Sequence, residues 1–122
     1  MKTLLFTIVL ILFLPVNSVA QIDSLDLKLI NAVKTCDYES VNVAVNTVRD
    51  VDYADAFGKT ALHYAVVCGN PEIVSLLLLH SANPLAEDKQ GMTPLDYAFL
   101  FEQPAIIKIL LNRQIPTGVQ AM

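Results

Sequence analysis

Two hydrophobic patterns follow one another along the chain. The first is an unbroken apolar run from Leu4 to Leu14. The second begins near residue 25, where short apolar segments alternate with turn-forming Asp, Asn, Gly and Pro. Apolar segments bounded in this way are typical of short helices. The pattern predicts helices at residues 27–36, 38–47, 61–68, 71–80, 94–101 and 104–112.

The first pattern has the layout of a secretory signal. Lys2 precedes the apolar run, which is shorter than the ~18–20 residues of a membrane-spanning helix. Ser18 and Ala20 are small residues at the two positions that a signal peptidase reads. We therefore predict that residues 1–20 are removed by cleavage between Ala20 and Gln21, which leaves no membrane span. An uncleaved membrane anchor is the alternative interpretation.

The second pattern repeats itself at an offset of 33 residues. Segment 55–65 matches segment 88–98, with Asp, Gly, Thr, Leu, Tyr and Ala at the same places. A weaker copy with the same offset precedes them. Self-similarity at such a period indicates a stack of helical repeats. The offset divides the chain into units of about residues 24–54, 55–87 and 88–115, followed by a flexible tail, 116–122.

Each unit is predicted to consist of a turn and two helices. Asp55 and Gly58 stand at the first and fourth positions of a tetrapeptide, which suits a type I turn. Thr60 and Thr93 are suited to cap the first helix, because a hydroxyl accepts a hydrogen bond from an unpaired amide of the first turn. Pro94 follows directly, where a helix tolerates proline.

These turns and helix starts resemble the ankyrin repeat. The similarity rests on the pattern Asp-x-x-Gly-x-Thr-Ala/Pro-Leu-x-x-Ala and covers residues 24–114. The motif positions are Gly58, Thr60, Leu62, His63, Ala65 and Gly69 in the second unit and Gly91, Thr93, Pro94, Leu95 and Ala98 in the third. The resemblance implies an all-α solenoid of three helix-turn-helix units with short hairpin-like turns, in a domain of residues 21–115.

The chain departs from the family pattern at several places. The helix-ending Gly is replaced by Cys36 in the first unit and by Glu102 in the third, which predicts looser or differently capped helix ends. Asp96 stands where the family has His. For His63 the resemblance implies bonds to neighbouring backbone and to the motif Thr, a structural role. The first unit lacks the Thr-Pro-Leu-His start and resembles the polar helix that caps such arrays.

Charge and motif content exclude several kinds of function. The formal net charge is −4, and removing Lys2 with the leader changes it to −5. Binding to nucleic acid or anionic lipid needs a basic face, whereas the basic residues here are scattered. No residues are spaced as in a catalytic, metal-binding or phosphate-binding motif. We therefore predict no enzyme activity, no cofactor and no metal.

Cys36 and Cys68 have two interpretations. They occupy nearly equivalent places in adjacent units, and an exported protein meets an oxidising compartment. Adjacent helices stack ~8–10 Å apart, whereas a disulfide needs Cα atoms within about 7 Å. An intrachain disulfide and two partly buried free thiols are therefore both retained. A thiol-dependent redox enzyme using these residues is an alternative function, although the chain has no Cys-x-x-Cys pair.

The resemblance implies a protein that binds another protein through the concave side of the stack. Carried over residue by residue, this face comprises Ala56, Phe57, Lys59, Val67 and Cys68 in the second unit and Lys89, Gln90, Met92, Leu100 and Phe101 in the third. Exposed apolar side chains mark interaction sites, so Phe57 is predicted to anchor the partner between Lys59 and Lys89. For Leu100 and Phe101 the alternative is that they fold inward and seal the end of the stack.

The leader and the resemblance together predict an exported protein of the bacterial periplasm, with an extracellular location as the alternative. The predicted partner is a protein, either a co-exported enzyme that the chain supports or restrains, or a toxin that it neutralises as an immunity protein. We expect a monomer, with dimerisation through the C-terminal end as the alternative.

Overall fold

The computed structural model describes residues 25–114, which form helices joined by turns and loops and contain no β-strand. Helix α1 covers residues 25–34, and the following helices are α2 (Tyr38–Val45), α3 (Ala61–Cys68), α4 (Pro71–Leu79), α5 (Pro94–Leu100) and α6 (Pro104–Gln114). The all-α prediction is confirmed, and each predicted boundary lies within two residues of the one described. The predicted leader 1–20 and tail 116–122 lie outside the described residues.

Consecutive helices form antiparallel pairs that stack in series. Helix α3 packs against α4, and α5 packs against α6, within their units. Between units, α3 packs against α5, while α2, α4 and α6 follow one another in the second layer. The largest fully buried side chains lie between these helices and include Leu29, Leu62, Ile73, Leu77 and Leu110. None of the helices at residues 25–114 combines the length and apolar character needed to cross a membrane.

Side chains predicted to cap the helices occupy the expected places. The Thr93 amide donates to the Asp96 carboxylate at 2.9 Å, and the Asp96 amide donates to the Thr93 hydroxyl at 3.2 Å. At the start of α4, the Asn70 side chain accepts from the Glu72 amide at 2.9 Å. These bonds satisfy amides that a helix leaves unpaired in its first turn.

The first helices of all three units are followed within two residues by a left-handed residue, whether or not that residue is glycine. Gly69 has φ 73°, and the two residues that replace glycine, Cys36 and Glu102, have φ 58° and 52°. The left-handed backbone is thus kept at both positions, whereas the expectation of a different cap holds for α5, whose C-cap is Phe101 with φ −93°. Cys36 and Glu102 adopt this conformation although the left-handed region costs a residue with a Cβ about 1–2 kcal/mol.

The turns of adjacent units are joined through their backbones. The Lys89 amide donates to the Phe57 carbonyl at 3.1 Å. Gly58, with φ 75°, lies so close to this contact that a Cβ on it would meet the Lys89 nitrogen at 2.8 Å. Glycine is thus required both for the turn and for the approach of the next turn. The contact holds the tips of the second and third units side by side.

Candidate partner-binding face

Phe57 projects from the tip of a rigid turn. Its side chain is 67% exposed. The Asp55 carboxylate accepts hydrogen bonds from the Phe57 amide at 2.9 Å and from the Lys59 amide at 3.0 Å, so the turn is fixed from within. A small cavity of about 140 Å³ lies beside the ring, and its lining residues are Phe57, Lys59, Asp88, Lys89 and Gln90. The turn therefore presents an apolar anchor next to a concave, partly charged surface.

Two tyrosines tie the turns to the first helices. The Tyr64 hydroxyl donates to Asp55, and the Tyr97 hydroxyl donates to Asp88. Asp88 is buried and also accepts from the Gln90 and Met92 amides at 2.9 and 3.0 Å. These side-chain bonds fix the orientation of each turn on its own helix.

The electrostatics of these pairs favour neutral tyrosine and ionised aspartate. Burial acts to raise the pKa of Asp88, but the Tyr97 hydroxyl and the backbone amides outweigh it, so the pKa lies below its usual value. The hydrogen bond to Asp88, with burial, raises the pKa of Tyr97 to about 12. Burial and the hydrogen bond to Asp55 raise the pKa of Tyr64 to about 12. At neutral pH both pairs therefore hold their hydrogen bonds.

Lysines lie over the tyrosine rings along the concave side. The Lys34 Nζ atom is 4.7 Å from the Tyr64 ring centre. The Lys59 Nζ atom lies between two rings, 5.8 Å from Tyr64 and 5.4 Å from Tyr97. Cation–π contacts of this kind hold a lysine side chain in place while its charge faces solvent. Lys59, predicted only to flank Phe57, is thus half-buried and held by the aromatic rings.

Apolar side chains also stand exposed at the ends of α3 and α5. Val67 is 48% exposed, Leu100 63% and Phe101 47%. The alternative that Leu100 and Phe101 fold inward to seal the stack is therefore wrong. Phe101 stacks on the Tyr97 ring at a centroid distance of 6.4 Å, which continues the aromatic row.

The other predicted face residues differ in their surroundings. Ala56, Lys89 and Gln90 are exposed at the turns. Met92 is instead half-buried against the core, because the turn of the third unit, which contains Met92, packs against the second unit. Its side chain therefore adds less to the face than its position in the motif suggests.

Cys68 is joined to Cys36 by a disulfide with a Cα–Cα distance of 5.8 Å. The ~8–10 Å spacing of adjacent helix axes is larger than this Cα–Cα distance. That spacing does not apply to Cys36, because α1 ends at residue 34. Cys36 follows the helix in the left-handed conformation and brings the chain toward the end of α3. The bridge fastens the first unit to the second at the edge of the concave face.

His63 connects the second unit to the third. Its ring is fully buried. Nδ1 accepts from the Thr60 amide at 3.1 Å, so Nε2 carries the proton and donates to the Met92 carbonyl at 2.9 Å. Both nitrogens are thus used in structural bonds. Within residues 25–114, no three His, Cys, Asp or Glu side chains converge as a metal site would require.

Three residues of this face were not identified from the sequence. These residues are Lys34, Tyr64 and Tyr97, which belong to the row of stacked cations and rings. A signal was present, because Asp and Tyr recur nine residues apart in the second and third units, as Asp55–Tyr64 and Asp88–Tyr97. That spacing joins a turn to the helix that follows it.

Known proteins share these repeats. The model of the family "Ankyrin repeats (3 copies)" matches residues 29–120. Regulatory protein NPR6 of Arabidopsis thaliana is 43% identical over 72 residues, which cover 57% of this chain and 15% of NPR6. Inversin of Gallus gallus is 37% identical over 70 residues, or 57% of this chain and 6% of inversin. Mitochondrial disaggregase of Rattus norvegicus is 56% identical over 41 residues, or 34% of this chain and 6% of the disaggregase.

The chain spans 15% or less of each of these relatives, so the similarity concerns the repeats and not the whole proteins. Ankyrin repeats generally mediate protein–protein interaction and are typically not enzymatic. The matching family model, the stacked helix pairs and the hairpin-like turns agree, and this chain belongs to the ankyrin-repeat family.

Proposed function

We propose that this chain is an exported protein-binding module that holds a protein partner on its concave side, with Phe57 as the central anchor. The observation that carries the proposal is the exposure of this ring, 67%, at the tip of a turn fixed by the Asp55 carboxylate. Aromatic side chains that are held rigidly and exposed are the usual anchors of protein interfaces.

The charges around the anchor favour a partner with acidic side chains. Lys34 and Lys89 are exposed on the two sides of the face, and Lys59 lies between the tyrosine rings. Asp55 and Asp88 are engaged by tyrosine hydroxyls and turn amides. Of these charged groups, the lysine ammonium groups are therefore the ones left for a partner, although the chain as a whole is acidic. Complementary charge of this kind steers association and fixes orientation.

Export to an oxidising compartment is supported by two independent features. The first twenty residues have the layout of a secretory signal. The disulfide between Cys36 and Cys68 is of a kind that persists in the periplasm or outside the cell and is rare in the cytosol. We propose the bacterial periplasm as the compartment. The partner there is an enzyme that the module supports or restrains, or a toxin that it neutralises.

The exported protein is expected to begin at Gln21. Cleavage after Ala20 follows from the small residues at the peptidase positions. N-terminal sequencing, or the intact mass of the protein recovered from the exported fraction, measures this directly. A mature chain that still begins at Met1 would contradict the proposed processing.

Phe57→Ala is expected to weaken partner binding by about 2 kcal/mol or more, roughly 30-fold in the dissociation constant. The melting temperature should change little, because the ring contributes little to the core. The experiment is affinity capture from the exported fraction with the parent and the variant as baits. Mass spectrometry then identifies proteins retained by the parent alone, and calorimetry on the purified pair gives the affinities.

Leu79→Ala provides the matched control. Leu79 is 70% exposed at the end of α4, in the second helix layer, away from the turn tips. The control should retain the partner as the parent does. Equal binding by Phe57→Ala and the parent, or unfolding of Phe57→Ala, would show that the assignment of the face is wrong.

A further inference from the structure

The small cavity beside Phe57 lies between the turns of the second and third units. Its volume is about 140 Å³, and its lining residues are Phe57 and Lys59 from one turn and Asp88, Lys89 and Gln90 from the next. Pockets that enclose a drug-sized ligand measure about 300–1,000 Å³. The cavity is therefore of a size for one side chain of a partner and not for a whole ligand or a helix.

The walls of the cavity are held in place before anything binds. The Lys89 amide donates to the Phe57 carbonyl at 3.1 Å, which fixes one turn against the other. Within each turn an aspartate carboxylate, that of Asp55 or Asp88, accepts from two backbone amides. A group that enters the cavity therefore does not have to order these turns, which lowers the free-energy cost of binding.

The side chains of the cavity offer hydrogen-bond donors to an entering group. Within residues 25–114, the Lys89 ammonium group and the Gln90 side-chain amide form no hydrogen bond or ion pair, and the Lys59 ammonium group contacts only tyrosine rings. The carboxylate of the lining, that of Asp88, already accepts from the Tyr97 hydroxyl and from two amides. The cavity is thus rich in donors and complementary to an anionic group.

Lys59 is the donor whose position is most restricted. Its Nζ atom lies 5.8 Å from the Tyr64 ring centre and 5.4 Å from that of Tyr97, and the residue is half-buried. An exposed lysine loses side-chain entropy when it forms an ion pair, which largely offsets the attraction. The rings already restrict Lys59, so an ion pair with it should be stronger than an ordinary surface pair.

We propose that this cavity binds one aspartate or glutamate side chain of the protein partner, whose carboxylate accepts from the Lys59 and Lys89 ammonium groups and the Gln90 amide. This inference rests on the proposed function and specifies which group the partner presents. Phe57 forms an apolar wall of the cavity and is 67% exposed, so it contacts an apolar side chain of the partner next to the acidic one. The partner segment therefore combines an acidic and an apolar side chain at neighbouring positions.

The test uses a phage-displayed library of random twelve-residue peptides, selected on the full chain with its disulfide intact. Peptides retained by the parent and lost with Phe57→Ala bind at this face, and we expect an acidic residue beside an apolar one in each of them. Replacement of the acidic residue by its amide should raise the dissociation constant of such a peptide about tenfold, because a charge-assisted contact is lost. Isothermal titration calorimetry on both peptides measures the difference.

Charge-removing variants locate the contact. In Lys59→Gln with Lys89→Gln, the acidic peptide and its amide counterpart should bind within about twofold of each other, since the acidic side chain has lost its partners. Lys28→Gln with Lys108→Gln is the matched control, because it removes the same charge at exposed helix positions outside the cavity and should keep the preference. Lys89→Gln alone, at an exposed position, should already reduce the preference, so the result does not depend on how well the double variant folds.

A preference for the acidic peptide that persists in the double variant would overturn the proposal. Peptides that depend on Phe57 but carry no acidic residue would overturn it too, as would a library without any peptide that depends on Phe57. Displacement of the acidic peptide by sodium phosphate at constant ionic strength would show a general anion site, which also overturns it. The proposed function is tested separately, by capture of the partner with the parent and Phe57→Ala, and can stand when any of these results is obtained.

Discussion

Replacing Cys36 and Cys68 together by Ser is expected to lower the free energy of unfolding by about 3–4 kcal/mol. The bridge joins residues separated by 32 positions, and closing a loop of that length restrains the unfolded chain by about this amount. For a domain of this size the loss corresponds to roughly 15–25 °C in melting temperature. Urea unfolding of the parent and the double variant measures it.

Reduction of the parent serves as the control for this loss. A thiol reductant should destabilise the parent by the same amount and leave the double variant unchanged. The parent, denatured without reductant, should show no reactive thiols. Two reactive thiols in that titration would contradict the bridge and, with it, one of the two supports for an oxidising compartment.

The backbone at Cys36 allows the bridge to be separated from local strain. Cys36 has φ 58°, a conformation that glycine adopts without cost. The pair Cys36→Gly with Cys68→Ser should therefore be about 1 kcal/mol more stable than Cys36→Ser with Cys68→Ser. Loss of the disulfide is common to both variants, so the difference reports the left-handed residue alone.

The helices were predictable because turn and cap residues recur with the repeat. Thr93, Asp96 and Asn70 act within one turn of the chain, and such local bonds depend on residue type and spacing. The departures Cys36 and Glu102 indicated differently capped helix ends, which holds for the C-cap of α5, but their residue types did not reveal that both adopt the left-handed backbone of Gly69.

The contents of the concave face were only partly predictable. Phe57 was identified because a turn tip offers a side chain little contact. The pairing of Lys59 with the rings of Tyr64 and Tyr97 joins residues of two units, and no motif position describes it. Contacts between units depend on three-dimensional stacking and not on spacing along the chain.

The disulfide between Cys36 and Cys68 was also not predictable from the spacing of helix axes. From the sequence, both cysteines were expected at equivalent ends of adjacent helices, and both a disulfide and two free thiols were retained as interpretations. The spacing of helix axes describes residues within helices, whereas Cys36 lies two residues beyond the end of α1. A left-handed residue there redirects the chain and shortens the Cα–Cα distance to 5.8 Å.

Within residues 25–114, the two residues that follow the motif Thr by three positions differ in that His63 bonds to another unit and Asp96 does not. His63 accepts from Thr60 and donates to the Met92 carbonyl of the third unit. Asp96 occupies the same place in the third unit, accepts from the Thr93 amide and is exposed. The departure from the family pattern at Asp96 thus keeps the helix cap, and within residues 25–114 its side chain makes no bond to another unit of the kind that His63 makes to Met92.

His63→Asp is therefore expected to lower the free energy of unfolding by about 3–5 kcal/mol, whereas Asp96→His should change it by less than about 0.5 kcal/mol. Aspartate at position 63 would still accept from the Thr60 amide, but its shorter side chain would leave the Met92 carbonyl without a donor and enclose a carboxylate between two units. Urea unfolding of the parent and both variants measures the difference. Equal losses for the two substitutions would show that this position acts only as a helix cap, and that His63 does not hold the second unit to the third.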